Sequence, residues 1–252
     1  MSDFRPRSSS EILDAAFEIY RRYFTVFIAI SVFAAIPSAI SSHIGEAAMS
    51  LHQTDGIFTS ALVSFLGLFI APFTEGAMSH AASAAYLGKQ VDFEQSVRAA
   101  FRRPGRLFVA MVTKWILLFF GLILFLVPGL IVYKRYFALP MTVLFEDTTV
   151  RGAVARSREL SSGNGKRIFS LNGGVFLFSM LVMLTLGQTI ASISHGAIAA
   201  VGRLIINMTI SPFGTIVATL LYYDIRIRKE GYDIELMTQA LNVASLLLNS
   251  VP

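Results

Sequence analysis

Cysteine is absent from the sequence, so disulfides, thiolate nucleophiles and cysteine-ligated metal centres are excluded. Charged residues are scarce, at 15% of the chain, compared with about 25% in typical soluble proteins. Hydrophobic residues account for 54%, and the mean hydropathy is +0.63. A soluble domain of 252 residues needs less apolar surface than this for its core. The surplus is expected to face lipid, in a single membrane domain over residues 1–252.

Sequence motifs for catalysis or metal binding are missing as well. The four histidines are His43, His52, His80 and His195. They form neither an HExxH motif nor a pair spaced to hold a metal on one helix face. A glycine-rich stretch at 163–166 is superficially like a phosphate loop, but Leu160 stands where a Walker motif needs its first glycine. Because a nucleophile elbow and a carboxylate pair in a soluble cleft are also missing, we predict no enzyme activity, no cofactor and no metal.

Long apolar runs are the dominant feature of the sequence, and a spanning helix needs about 20 mostly apolar residues. Six segments meet or approach this length, at 24–42, 57–86, 107–127, 130–145, 171–193 and 204–223. Only Pro128 and Gly129 separate the third from the fourth, and this pair favours a tight turn. The alternative, one kinked helix over 107–145, would be nearly 60 Å long at about 1.5 Å per residue, twice the hydrocarbon core. The sequence therefore predicts an all-α polytopic membrane bundle of six transmembrane helices with short amphipathic interfacial helices.

The basic residues are distributed unevenly between the two sides of the predicted bundle. Most of the 21 lysines and arginines precede the first span, follow the second or fourth, or lie in the tail, whereas the opposite loops contain only Arg203. Positive loops remain cytoplasmic during insertion, so both termini are predicted to be cytoplasmic. The first span is expected to stay as an anchor because its apolar run is too long for a signal peptide. The basic residues behind the net charge of +5 are then expected to face anionic lipid headgroups. We therefore predict no nucleic-acid partner.

A repeated pattern precedes the first, third and fifth spans: a polar cap, a short amphipathic basic helix, and an aromatic residue at Phe24, Phe108 or Phe169. Such helices suit the membrane interface, and duplication of one module is a hypothesis for their origin. Candidate lipid-headgroup contacts on or beside these helices are Arg21, Arg22, Arg102, Arg103, Arg106, Arg151 and Arg158. The tail at 232–249 forms a further amphipathic segment, which we expect to dock on the bundle or on a membrane-protein partner.

Four ionisable residues lie inside the apolar runs, namely Glu75, Lys114, Lys134 and Arg135. A charge at the centre of a bilayer costs about 2.5–3.5 kcal/mol on insertion scales and usually faces water or a partner. The sequence places all four at a similar depth, as a candidate intramembrane polar cluster. Two interpretations remain open: a polar cavity or substrate site, and a structural ion pair with side chains that snorkel to the headgroups.

Three stretches of sequence carry a family resemblance. They are RPRSSSEILDAAFEIYRRYF from Arg5, ALPMTVLFEDTTVRGAVARSREL from Ala138 and LLYYDIRIRKEGYDIELM from Leu220. Together they resemble the bacterial glycerophosphoryl diester phosphodiesterase membrane-domain family over nearly the whole chain, and the closing stretch is the most specific. The resemblance implies a six-span bundle in the bacterial inner membrane. In longer relatives the phosphodiesterase activity belongs to a separate soluble barrel, so the resemblance supplies no catalytic residue here.

Two functions compete on these grounds. The first is a non-enzymatic membrane protein that organises, supports or regulates a membrane partner or its lipid environment. The alternative is a transporter of a lipid or small molecule that uses the intramembrane charges and proline-interrupted spans. A membrane-embedded hydrolase is a weaker third hypothesis, because the polar residues follow no recognisable catalytic arrangement.

Overall fold

The computed structural model describes residues 5–50, 54–124, 126–146, 148–194 and 197–232, together with residues 234 and 238. These residues form helices joined by short turns, which confirms the all-α prediction. The helices are α1 Ser9–Arg22, α2 Phe24–Ser50, α3 Thr54–Tyr86, α4 Phe93–Ala100, α5 Pro104–Leu124, α6 Leu126–Tyr136, α7 Leu139–Phe145, α8 Val150–Ser161, α9 Gly165–Ile168, α10 Gly174–Ile193 and α11 Ala197–Glu230, and a π-helix over Phe169–Gly173 joins α9 to α10. The predicted tail helix at 232–249 lies almost entirely outside the described residues.

Among the described residues, five helical segments are long and apolar enough to cross a membrane, which confirms the prediction of a multi-pass membrane protein. They are Phe24–Gly45, Thr54–Tyr86, Pro104–Gly121, Gly165–Ile190 and Ile198–Glu230. The predicted fourth span at 130–145 is instead divided between α6 and α7. The 11 residues of α6 extend for only about 17 Å, and Pro140 lies in the first turn of α7, where its missing N–H costs no helical hydrogen bond. The structure therefore shows a broken segment at the place of the predicted fourth span.

Helices α5 and α6 form the predicted hairpin. A Cβ atom added to Gly121 would lie 3.0 Å from the Cα atom of Gly129, whereas residues eight apart in one straight helix are separated by about 12 Å. The single long helix is therefore wrong. The turn comes earlier than predicted, because α6 already begins at Leu126 and includes Pro128 in its first turn.

Three hairpins build the bundle: α2 with α3, α5 with α6 and α7, and α10 with α11. Small residues allow close approach within them, as where Ser41 donates its hydroxyl to the carbonyl of Ser60 at 2.8 Å. Each interfacial helix packs on a hairpin that it does not lead into. Helix α4 packs on α2 and α3, α8 packs on α5, α6 and α7, and α1 packs on α11. Helix α11 also packs directly on α2 and α3, so the first and last hairpins are in contact without α1 as well.

Helices α3 and α11 are longer than the hydrocarbon core. They contain 33 and 34 residues, or about 50 Å each, compared with about 30 Å of hydrocarbon. Their first halves expose large apolar side chains such as Phe58 and Ile198. Their second halves are largely buried, as at Ala81 and Ile216, and Pro72 and Pro212 lie near the change. The protein core therefore lies towards one end of the bundle, and the other end is lined by lipid-facing side chains.

Candidate functional site

A buried carboxylate, Asp224, lies at the centre of the well-packed end of the bundle. Its side chain is 3% exposed, and its Oδ2 atom accepts hydrogen bonds from Nε of Arg167 at 2.8 Å and Nε of Arg228 at 2.9 Å. Its Oδ1 atom accepts from the backbone N–H of Arg7 at 2.7 Å. Both arginines also donate to the carbonyl oxygen of Arg7. Asp224 thus fastens the segment before α1 and helix α9 to helix α11.

A second network is centred on Arg156 of α8. Its guanidinium pairs with Glu146 at 2.9 Å, with Glu159 at 3.2 Å, and with Glu230. Burial lowers the pKa of Arg156, but hydrogen bonding and charge attraction to Glu230 and Glu146 raise it more, so the net pKa shift is upward. The second carboxylate oxygen of Glu146 accepts from the hydroxyl of Tyr222 at 2.8 Å. These ion pairs and this hydrogen bond therefore join helix α8 to the end of α7 and to helix α11.

Tyrosine side chains lie beside these two networks. The Arg226 guanidinium lies 3.8 Å from the ring centroid of Tyr232 and 5.8 Å from that of Tyr222, within the range of cation–π attraction. The Tyr223 hydroxyl is 2.6 Å from the hydroxyl of Ser83 on α3. We call Asp224, Arg156, their ion-pair partners and these tyrosines the charged layer. Its polar groups are engaged with one another, as expected for a structural network.

Sequence patterns alone do not identify the charged layer as a site. The sequence signal for it lies in the closing stretch, where Asp224 stands between Arg226 and Arg228 on one side and an apolar run on the other. That pattern alone resembles an ordinary cytoplasmic flank. The burial of Asp224 depends on α1 and α9, which are distant in sequence, and local spacing does not reveal those contacts.

The predicted intramembrane cluster is only partly assembled. Lys114 Nζ lies 3.3 Å from Oε1 of Glu75, with the two side chains 17% and 28% exposed. Lys134 instead lies beside Gly165 at the start of α9. A Cβ atom added to Gly165 would be 3.1 Å from the Nζ atom of Lys134. Arg135 is exposed, and within the described ranges neither Lys134 nor Arg135 pairs with Glu75. The four residues thus form one ion pair and two separate cations.

Most of the predicted headgroup arginines are accessible. Arg21, Arg22, Arg102, Arg106, Arg151 and Arg158 are exposed, and Arg103 is half-buried. Two of them also contact the protein. Arg158 donates to the Tyr136 hydroxyl at 3.0 Å, and Arg106 lies 3.4 Å from the carbonyl oxygen of Thr148. Contacts with the protein therefore orient two of these arginines, Arg106 and Arg158.

A cavity of about 160 Å³ lies where the turn between α4 and α5 meets the end of α7. Arg102 and Arg103 line it, together with Glu146. Because both oxygens of Glu146 are already bonded to Arg156 and Tyr222, its charge is largely compensated. Helix α5 begins beside this cavity. The N-terminus of a helix carries a partial positive charge that favours the binding of anions. The arrangement suits a phosphate group.

Among the described residues, no group of three or more histidine, aspartate or glutamate side chains is placed to hold a metal ion. No protein-family model, curated protein or solved structure matches this chain. The candidate functional features are therefore the charged layer, the Glu75–Lys114 pair and the arginine-lined cavity.

Substitution Asp224→Asn should destabilise the fold, because it leaves Arg167 and Arg228 facing a neutral group in a buried site. Breaking a buried ion pair typically costs about 3–5 kcal/mol. The measurement is reversible unfolding of the purified protein in detergent. Glu94→Gln is the matched control, since Glu94 forms an exposed i,i+4 pair with Arg98 and should change the free energy of unfolding by at most about 1 kcal/mol. Equal effects of the two substitutions would contradict a structural role for Asp224.

The Glu75–Lys114 pair calls for a double-mutant cycle. Glu75→Gln should destabilise the fold, and adding Lys114→Met should recover much of the loss, with a coupling energy of about 0.5–3 kcal/mol. Unfolding measurements on the two single variants and the double variant give this value. A substrate or proton site would behave differently, because the carboxylate itself would be needed. Unchanged stability of Glu75→Gln combined with loss of a flux phenotype would favour transport.

Proposed function

We propose that this chain is a non-enzymatic protein of the bacterial inner membrane that organises its lipid environment, or a membrane partner, by binding anionic phospholipid headgroups at its charged end. The arginine-lined cavity beside α5 is the observation that carries the proposal, because it combines positive side chains with a helix N-terminus at the mouth of a predicted span. The inner-membrane placement is supported by the family resemblance of the sequence.

The pairing of the buried charges favours an organising role over transport. Asp224, Glu146 and Glu75 each have a cationic partner within hydrogen-bonding distance. Transport sites in membranes usually place ionisable groups against a hydrated pathway or a substrate. Here the carboxylates instead hold helices from different modules together, so the bundle is well suited to act as a fixed platform.

One observation favours the second candidate function. Lys134 and Arg135 make no ion pair with any described residue, although α6 adjoins the lipid-facing surface at Leu130 and Ile131. Cations that lack an acidic partner beside a lipid-facing surface are found in pathways for anionic substrates. A transporter of an anionic lipid or small molecule is therefore the alternative, and the Glu75 variants above distinguish the two.

The proposed orientation places the charged layer in the cytoplasm, in keeping with the excess of positive charge at this end. Because the chain has no cysteine, single cysteines can report each side. A cysteine at Ser194, between α10 and α11, should react with a membrane-impermeant maleimide in intact cells. A cysteine at Ser162, after α8, should react only after permeabilisation. The reverse pattern would invert the orientation.

Replacement of Arg102, Arg103 and Arg106 by glutamine should weaken the preference for anionic over zwitterionic lipid. The expected loss is about 1 kcal/mol per side chain that lies near the headgroups. The preference is measured from lipid bound to the protein in nanodiscs of mixed composition. Arg98→Gln is the control, because Arg98 is exposed on α4 and paired with Glu94. An unchanged preference in a folded triple variant would exclude headgroup binding at this cavity and favour a protein partner.

A further inference from the structure

A larger apolar groove lies between α1 and the hairpin of α10 and α11. Its volume is about 540 Å³, within the range of about 300–1,000 Å³ that is common for ligand sites. Its walls are formed by Leu13 and Phe17 of α1, Val175 and Phe178 of α10, and Ile210 and Phe213 of α11. The groove is separate from the arginine-lined cavity, which lies between α4, α5 and α7.

The local sequence keeps this groove open. The π-helix over Phe169–Gly173 adds a residue to the turn that leads into α10, and such turns occur frequently at functional sites. Gly173 is the last residue of the π-helix, and Gly174 is the first residue of α10. A Cβ atom added to Gly173 or Gly174 would meet no heavy atom within 4 Å, and Gly174 lines the groove. The missing side chains therefore leave one wall unfilled.

The corresponding place in the first module is less open. Phe33 and Phe178 occupy equivalent positions, since each lies nine residues after the aromatic residue that ends the repeated pattern, Phe24 or Phe169. The cavity beside Phe33 holds only about 200 Å³. There Phe73 and Phe101 stack with their ring centroids 4.4 Å apart. Both modules therefore leave an apolar space at this place, and the one at α1 is the larger.

Polarity varies around the groove. Phe178 is exposed and continues into the exposed apolar surface of α10 at Leu177 and Leu181. Asp14 is the single charged side chain among the described residues that line the groove. Asp14 is exposed and makes no ion pair with any described residue. The groove therefore combines a lipid-facing apolar wall with one water-facing carboxylate.

We propose that this groove binds one acyl chain of a bilayer phospholipid whose headgroup carries an ammonium group. The acyl chain lies against Phe178 and Val175, and the ammonium group lies at Asp14. Charge complementarity selects this occupant, because the carboxylate attracts an ammonium group, whereas a headgroup without one brings only its phosphate to Asp14. The continuity of the groove with the lipid-facing surface of α10 identifies the bilayer as the source.

Filling the groove tests occupancy. Gly174→Leu should abolish retention of the bound phospholipid, measured by native mass spectrometry of the full chain released from nanodiscs containing phosphatidylethanolamine and phosphatidylglycerol. Gly187→Leu is the control, because a Cβ atom there also meets nothing within 4 Å and Gly187 lies on the same helix outside the groove. Unchanged retention by a folded Gly174→Leu variant would overturn the proposal.

Changing the carboxylate of Asp14 tests the headgroup. Asp14→Asn should reduce the preference of the retained lipid for phosphatidylethanolamine over phosphatidylglycerol about two- to five-fold, the effect of losing one solvent-exposed ionic contact. Glu18→Gln is the control, since Glu18 is exposed one turn later on α1 and does not line the groove. A preference that is the same in both variants and in the unmodified protein would show that Asp14 does not select the lipid.

The two lipid sites can fail independently. The variant that lacks Arg102, Arg103 and Arg106 should keep its phosphatidylethanolamine in the groove while losing its anionic preference. Loss of phosphatidylethanolamine in that variant, with Gly174→Leu retaining it, would place the bound lipid at the arginine-lined cavity and overturn the groove proposal. Loss of the lipid from Gly174→Leu alone would support the groove whatever the result at the arginines.

Discussion

The ion pairs of Asp224 are the contact on which the arrangement of the helices depends. Moving a carboxylate out of water costs several kcal/mol, and this cost is offset only when the group is fully paired. Arg167, Arg228 and the backbone of Arg7 supply that pairing from three separate segments. If any of the three moved away, a buried charge would lose a partner. The carboxylate therefore fixes the start of α1 relative to α9 and α11.

A membrane gives this contact unusual importance. Lipid chains are as apolar as the helices, so the hydrophobic effect does little to bring helices together within hydrocarbon. At the charged end, Tyr222, Leu220 and Ile225 of α11 are almost fully buried. Further along the hairpins, side chains such as Phe58, Phe120 and Leu181 remain exposed. Grooves between modules are a consequence of this division, and each is either filled by side chains or open to lipid.

The sequence predicted the helices well and the contacts between modules poorly. The start of α1 is an example, because the polar cap expected there is present: the Ser8 hydroxyl accepts from the backbone of Glu11, and the Glu11 carboxylate accepts from the backbone of Ser8. Hydrogen bonds from Arg5 and Ser8 lower the pKa of Glu11 to about 2. These features are local, so spacing reveals them. The break after α6 is not local: Phe137 and Leu139 are buried in the core, and an apolar count registers them as continuous span.

The candidate sites show the same limit of local information. Glu75 and Lys114 were predicted to meet, and they do, because α3 and α5 run side by side. Depth along a helix was a weaker guide for Lys134 and Arg135, because α6 ends at Tyr136 beside the interfacial helix α8, where Ser157 donates to the carbonyl oxygen of Arg135 at 2.9 Å.

Helix α1 connects the structural and the proposed lipid-binding parts of the molecule. The segment before it is fastened to Asp224 through Arg7, and near its other end the Tyr20 hydroxyl donates to the carbonyl oxygen of Thr209 at 2.6 Å. That carbonyl lies one turn before Pro212, where a proline interrupts the hydrogen bonding of α11. Because α1 is held at both ends, its middle bridges an open groove without collapsing into it. A rigid bridge of this kind keeps the groove available to a lipid chain, whereas a mobile α1 would fill the space with its own Phe17.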